Sequence, residues 1–278
     1  AGRETQSREG WVPAVACDSQ DRVFVYSRSD KPLNVYDPDG NHLATWGEGV
    51  LTPGCAHGIF IDKEDNVFVT DATDHAIYKF SLAGELLLTL GTPGQPGAAE
   101  GDPFNRPTDI AIASNGDIIV SDGYGNHHIH RYSASGKHIV TWGGEGNGPG
   151  EFTISHTVRV DAQDRIWDCD RENNRIQIFD LDGNFLDEWT DLLRPNNIHI
   201  DDENGVLYVA ELGRRISIWN LATRELLSSW GGGGDPSDVP GEFQGGPHGI
   251  WIDSQGNIYA GEVERGEEGT FHKYVRRR

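Results

Sequence analysis

The sequence predicts an all-β fold, a six-bladed β-propeller, on three observations. One short strand, typified by His57-Gly58-Ile59-Phe60-Ile61-Asp62, recurs six times along the 278 residues. The copies follow one another at about 40 to 50 residues, a period that belongs to propellers and solenoids. Glycine (36 residues) and proline (13) are scattered along the chain instead of gathered in one tract, as many tight hairpin turns require.

Each copy reads as one blade of up to four strands. The first begins near Val12 and ends near Trp46. The second alternates through residues 58–62, 67–70, 76–80 and 86–90, and the third through 109–113, 118–121, 129–132 and 139–142. Asn115-Gly116 and Ser135-Gly136 supply the positive φ that short turns between these strands need. The fourth copy starts at Thr157, the fifth runs from Asn197 to Trp230 and the sixth from Gly249 to Val275. Trp46, Leu90, Trp142, Trp189 and Trp230 close the outer strands and are read as packing between neighbouring sheets. The sixth copy lacks a fourth strand, so residues 1–9 are expected to supply it and latch the ring. One closed domain over residues 1–278 is the expected organisation.

Several other motifs read as plain structure. The glycine-rich spans 143–150 and 231–234 lack a phosphate loop's Gly-Lys-Ser/Thr ending and are connectors. Asp37-Pro38-Asp39-Gly40-Asn41 and Asp180-Leu181-Asp182-Gly183-Asn184 lack the closing Glu of a calcium loop and are turns. His127, His128 and His130 cluster on an outer strand and read as solvated surface.

Register generates the functional hypothesis. Stepping back five positions from the residues that close the first strands gives Pro13, His57, Thr108, His156, Asn196 and His248. Histidine occupies alternate copies, which a ring would set roughly 120° apart, so three imidazoles converge on the axis as a metal site. A second register, Ser27, Asp71, Asp122, Asp170, Glu211 and Glu262, reads as acids that accept backbone amides. Just beyond it, Arg28 and Arg171 face each other across the ring and suit a substrate carboxylate. Tyr124, one position further in the third copy, is the candidate general base, since nearby positive charge favours a phenolate.

Composition excludes other classes. A formal charge of −21, spread without long single-sign blocks, argues against nucleic acid as partner. No apolar run approaches the roughly 18 residues of a membrane span. Three cysteines, Cys17, Cys55 and Cys169, form no disulfide framework and favour a reducing compartment. The expectation is a soluble, cytoplasmic-leaning protein with no nucleic-acid, membrane or obligate protein partner. No signal-peptide pattern opens the chain, but it starts at Ala1, so that carries no weight. Arg276 to Arg278 read as a frayed basic terminus.

Ala56-His57-Gly58 with Val69-Thr70-Asp71, Pro107-Thr108-Asp109, Val120-Ser121-Asp122-Gly123-Tyr124, Ser155-His156, Asp170-Arg171-Glu172-Asn173 and Pro247-His248 carry a resemblance. It is to the NHL-repeat propellers and, within them, to the peptidyl-α-hydroxyglycine α-amidating lyases. That resemblance implies an axial zinc on His57, His156 and His248, a catalytic Tyr124, and active-site arginines at Arg171 and Arg28. It also implies cleavage of the carbon–nitrogen bond of an α-hydroxyglycine to an amide and glyoxylate. Gly249 stands where the family has an Asp that helps to hold a structural calcium, which makes calcium doubtful. Gly125 stands in place of a family cysteine, so that disulfide is absent. The expected function is a zinc-dependent lyase on an N-acyl carbinolamine, a small or peptide-derived molecule with a carboxylate. The alternatives are a metal-dependent hydrolase or hydratase, and a non-enzymatic propeller that binds protein.

Overall fold

A computed structural model describes residues 10–97, 104–232, 235, 236, 239, 242–263 and 270–276. Its strands form six antiparallel sheets in chain order, five of four strands and one, the last, of three. In blade 2 the strands are Ala56–Ile61, Val67–Asp71, Ala76–Phe80 and Leu86–Gly91, and the other blades repeat that meander. The first strand of each blade lies at the centre and touches the first strands on either side, including blade 6 against blade 1. Residues 1–9, expected to complete blade 6, fall outside the described residues, as do Arg277 and Arg278; the amide of Arg276 is tied to the Asn257 side chain.

Short polar sequences shape the turns. Asp62 accepts the amides of Glu64 (3.0 Å) and Asn66 (2.8 Å), which folds the chain directly into its second strand. Asp18, Asp161 and Asp253 repeat this in blades 1, 4 and 6. Asp37 and Asp180 accept amides of their own turns in the same way.

The core is divided into six apolar wedges, one between each pair of neighbouring blades. Burial of these wedges is what fastens sheet to sheet. The outer-strand residues pack as expected, with Trp46 edge-on to Phe24 (5.2 Å) and Trp189 to Trp167 (5.6 Å). A turn glycine of the next blade lies over several of them. A Cβ on Gly183 (φ 84°) would sit 2.7 Å from the Trp142 ring.

The expectation for the histidine cluster is corrected. His128–Tyr132 is the third of four strands, not an edge, and His130 is fully buried. Its Nε2 faces Asp122 Oδ2 at 3.3 Å and its Nδ1 the Thr141 hydroxyl at 2.8 Å. A buried carboxylate needs a polar partner from the adjacent strand, and His130 provides it. His272 does the same for Glu262 at 2.8 Å in blade 6. Among the described residues no helix is long and apolar enough to cross a membrane.

Two glycines separate backbone cost from packing cost. Gly205→Ala, at φ 67° with open space around it, is expected to cost about 1 kcal/mol for the left-handed backbone alone. Gly183→Ala is expected to cost about 2–3 kcal/mol, because Trp142 must also move. Urea denaturation of both variants measures the difference, and equal losses would show that the Trp142 wedge yields freely.

Candidate metal centre

The first strands bring the alternate-blade register together on the axis. His57, His156 and His248 are each buried, and their candidate ligand nitrogens all lie within 4.8 Å of one another. His57 Nδ1 meets the Thr108 carbonyl at 2.6 Å, His156 Nδ1 that of Asn196 at 2.8 Å, and His248 Nδ1 that of Pro13 at 2.7 Å. A carbonyl only accepts, so each Nδ1 carries the hydrogen and each Nε2 keeps its lone pair. Burial holds all three pKa values below the ordinary imidazole range, His248 down to about 3. Neighbouring cations add to this, Arg171 for His156 and Arg28 for His57 and His248. Three neutral imidazoles with fixed tautomers and a lone pair on each Nε2 are a donor set that suits a borderline transition-metal ion.

Tyr124 reaches this cluster from blade 3. Its hydroxyl lies 3.0 Å from His57 Nε2 and 3.1 Å from His156 Nε2. Arg171 opens a short 3₁₀ turn, Arg171–Asn173, in blade 4. Its Nη1 donates to the Tyr124 hydroxyl and to Asn196 Oδ1, both at 3.3 Å, while its Nε is taken by Glu172 at 2.8 Å. Glu172 is held in turn by Arg194, at 2.7 and 3.1 Å. Arg28, from blade 1, donates Nε to the Ala56 carbonyl at 3.2 Å and lies over the Trp11 ring. It has no carboxylate within ion-pair distance among the described residues, whereas Arg171 has one.

The loops that carry these groups are pinned by the second register. Asp71, Asp122, Asp170, Glu211 and Glu262 are buried and accept amides of Thr52, Asn105, Thr153, Leu193 and Gly245 respectively. That is the backbone-accepting role expected of them. Gly125 packs directly against Asn105, which leaves no room for a larger side chain at the position of the family cysteine.

The sequence reading passed over three features of this centre. Asn196 shares the histidine register, and it binds Arg171 through Oδ1 and the His248 carbonyl through Nδ2 at 2.8 Å. Arg106 places its guanidinium 5.0 Å from the Tyr124 ring centroid. Arg159 Nη1 meets Asp109 Oδ2 at 2.5 Å, with Nη2 on Asn197 Oδ1 at 3.2 Å. Asn196 stood in the register comparison itself. Arg106-Pro107 is repeated as Arg194-Pro195, a signal that the internal repeat contained.

The Arg159–Asp109 pair also bears on calcium. Both side chains are buried; burial raises the Asp109 pKa to about 6, and the Arg159 guanidinium opposes that rise. Gly249 offers no side-chain ligand, and a Cβ there would lie 2.8 Å from Ala14 Cα and the Pro13 carbonyl. The Arg159 guanidinium occupies the Asp109 carboxylate in the strands that flank the axis. Below it, His199 and Phe60 each lie edge-on to Trp251, at 5.2 and 6.0 Å.

Comparison with known proteins bears on what this centre does. A family model described as NHL repeat matches residues 104–132. The chain is 31% identical over 272 residues to NHL repeat-containing protein 3 of Homo sapiens, covering 91% of this chain and 77% of that protein. It is 31% identical over 264 residues to peptidyl-alpha-hydroxyglycine alpha-amidating lyase 1 of Drosophila melanogaster, covering 84% of this chain and 46% of that one. It is 42% identical over 207 residues to peptidylglycine alpha-amidating monooxygenase of Rattus norvegicus, covering 62% of this chain and 21% of that one. The chain thus spans less than half the length of either amidating relative. Among solved structures, a streptogramin B lyase aligns with a TM-score of 0.66 at 16% identity, over 96% of this chain and 95% of that one. That likeness is one of fold.

The lower axial layer gives a pH prediction. Burial first and Arg159 second hold the His199 pKa down to about 4. The unfolded chain takes up that proton near pH 6.5, so folding stability falls as the pH drops from about 6.5 to about 4. His199→Phe is expected to reduce that loss. Urea midpoints at about pH 7 and about pH 5 test it, and an unchanged difference between wild type and variant would assign the loss to other groups.

Proposed function

We propose, from the premise that the chain belongs to the NHL-repeat protein family and has amidating lyases among its relatives, that it is a zinc-dependent carbon–nitrogen lyase. Its substrate would be an N-acyl α-hydroxyglycine or a similar carbinolamine with a carboxylate, and its products an amide and glyoxylate. The observation that carries this reading is Tyr124, set by hydrogen bonds between two histidines of the axial triad and an arginine.

His57, His156 and His248 would hold the zinc, which supplies a Lewis acid for the substrate hydroxyl. The residues of the chain do the rest. Arg171, oriented by Glu172, and Arg28, which has no carboxylate of its own among the described residues, take the substrate carboxylate from two sides. That grip presents the hydroxyl to Tyr124 and lines up the bond that breaks. Tyr124, acting as the phenolate, takes the hydroxyl proton as the carbon–oxygen bond becomes a carbonyl. The carbon–nitrogen electron pair leaves with the amide nitrogen, to which Tyr124 returns the proton.

A second reading is supported by the human relative with 91% coverage of this chain, whose name states only its repeats. On that reading the propeller binds a partner and catalyses nothing.

Glyoxylate release from N-benzoyl-α-hydroxyglycine by zinc-loaded protein separates the two. Tyr124→Phe is expected to lower kcat by roughly 10²–10⁴-fold with zinc content unchanged. His156→Ala is expected to lose both zinc and activity. Glyoxylate release by the wild type no greater than by His156→Ala sinks the lyase reading.

A further inference from the structure

The propeller builds one strained arginine twice and neutralises it once. Arg106 and Arg194 both precede a proline at the start of a blade, and both have left-handed backbone, φ 62° and 54°. A residue before proline resists that conformation, so each is held there by its surroundings. The holding contacts correspond: the Arg194 amide donates to Asn174 Oδ1 at 2.9 Å, and the Arg106 amide to His75 Nδ1 at 3.0 Å. His75 stands in blade 2 where Asn174 stands in blade 4, four positions beyond the buried acids Asp71 and Asp170.

The side chains then diverge. Arg194 meets Glu172, two positions beyond Asp170. The matching residue in blade 2 is Thr73, exposed and uncharged. Arg106 has no carboxylate at ion-pair distance among the described residues, and its guanidinium lies exposed over the face of Tyr124. Arg171 approaches the same ring at 5.6 Å. Arg28 is close enough to both for Tyr124 to favour its charge and Arg106 to oppose it. In a chain of net charge −21, three guanidinium groups thus gather at one phenol, and Glu172 offsets only one of them. One substrate carboxylate between Arg28 and Arg171 leaves Arg106 without a carboxylate partner among the described residues.

We propose that Arg106 is a specificity residue that binds a second anionic group, so that the preferred substrate carries a carboxylate on its acyl part as well as on its hydroxyglycine part. The inference rests on the lyase reading for the identity of the substrate, but the subsite can be tested without turnover. Calorimetry on zinc-loaded protein would compare N-succinylglycine with N-pentanoylglycine, which lacks the distal charge. The wild type is expected to bind the succinyl compound roughly tenfold more tightly, the worth of one charge-assisted contact. Arg106→Lys should keep most of that ratio. Arg106→Gln should bring it to about one, and so should Thr73→Glu, which leaves Arg106 in place but supplies the carboxylate that Arg194 already has. Thr73 is exposed, so this second variant answers the question even if Arg106→Gln fails to fold. A wild-type ratio of one, a preference that survives Thr73→Glu, or no binding of either ligand overturns the subsite. The α-hydroxy derivatives of both compounds, assayed for glyoxylate, separate the two ideas. A succinyl preference without glyoxylate leaves the subsite standing and removes the lyase, and glyoxylate without a preference does the reverse.

Discussion

The hydrogen bond from each axial histidine to the carbonyl of the next blade is the constraint on which the site depends. Thr108, Asn196 and Pro13 supply those carbonyls, at 2.6, 2.8 and 2.7 Å. Because the acceptor is main chain, the imidazole tautomer is set by how two sheets pack, and no side-chain substitution at the acceptor can remove it. Ring closure and donor readiness are therefore one event. When blade 6 docks on blade 1, the same contact that seats His248 on Pro13 turns its Nε2 to the axis. Fixing ligands before a metal arrives lowers the conformational cost of binding it.

Around that axis several buried carboxylates are spent on loop amides and on partners from the neighbouring strand. Five acids at the ends of the second strands receive loop amides, and strand neighbours such as His130 and His272 cover their remaining oxygens. These bonds hold the loops from which the mouth is built. Glu172 extends the pattern outward, since one carboxylate holds Arg194 and turns Arg171 toward Tyr124. Arg28, half-buried, and Arg106, exposed, have no carboxylate at ion-pair distance among the described residues, and both stand beside the proposed reacting centre.

A propeller fixes the axial geometry without fixing what fills the axis. Arg159 and Asp109 form an internal ion pair, and Asn197 and the Val158 carbonyl accept further hydrogens of the guanidinium, whose Nε is buried without a partner. A buried arginine carries its own positive charge beside the axis, at the cost of desolvating the pair. Gly58 and Gly249 serve the same close packing, because a Cβ at either would press on the first strand of the following blade.

By itself the sequence determined what repeats. The strand register predicts six meandering blades and puts histidine in alternate ones, since position along a strand decides which side chains reach the axis. The same logic marked Tyr124, Arg28 and Arg171 as neighbours of the axis and the acids as acceptors. Only the tertiary structure decided what each of those groups faces. His130 reads as solvated from its place on an outer strand, yet Asp122, diagonal to it across the ladder, meets its ring. Arg159 meets Asp109 from fifty residues away, and Arg106 meets Tyr124 across a turn that no strand period describes. Register is a local property of one strand, whereas a buried charge is settled by the neighbouring blade, whose contribution to the same small space becomes definite only when the sheets have packed.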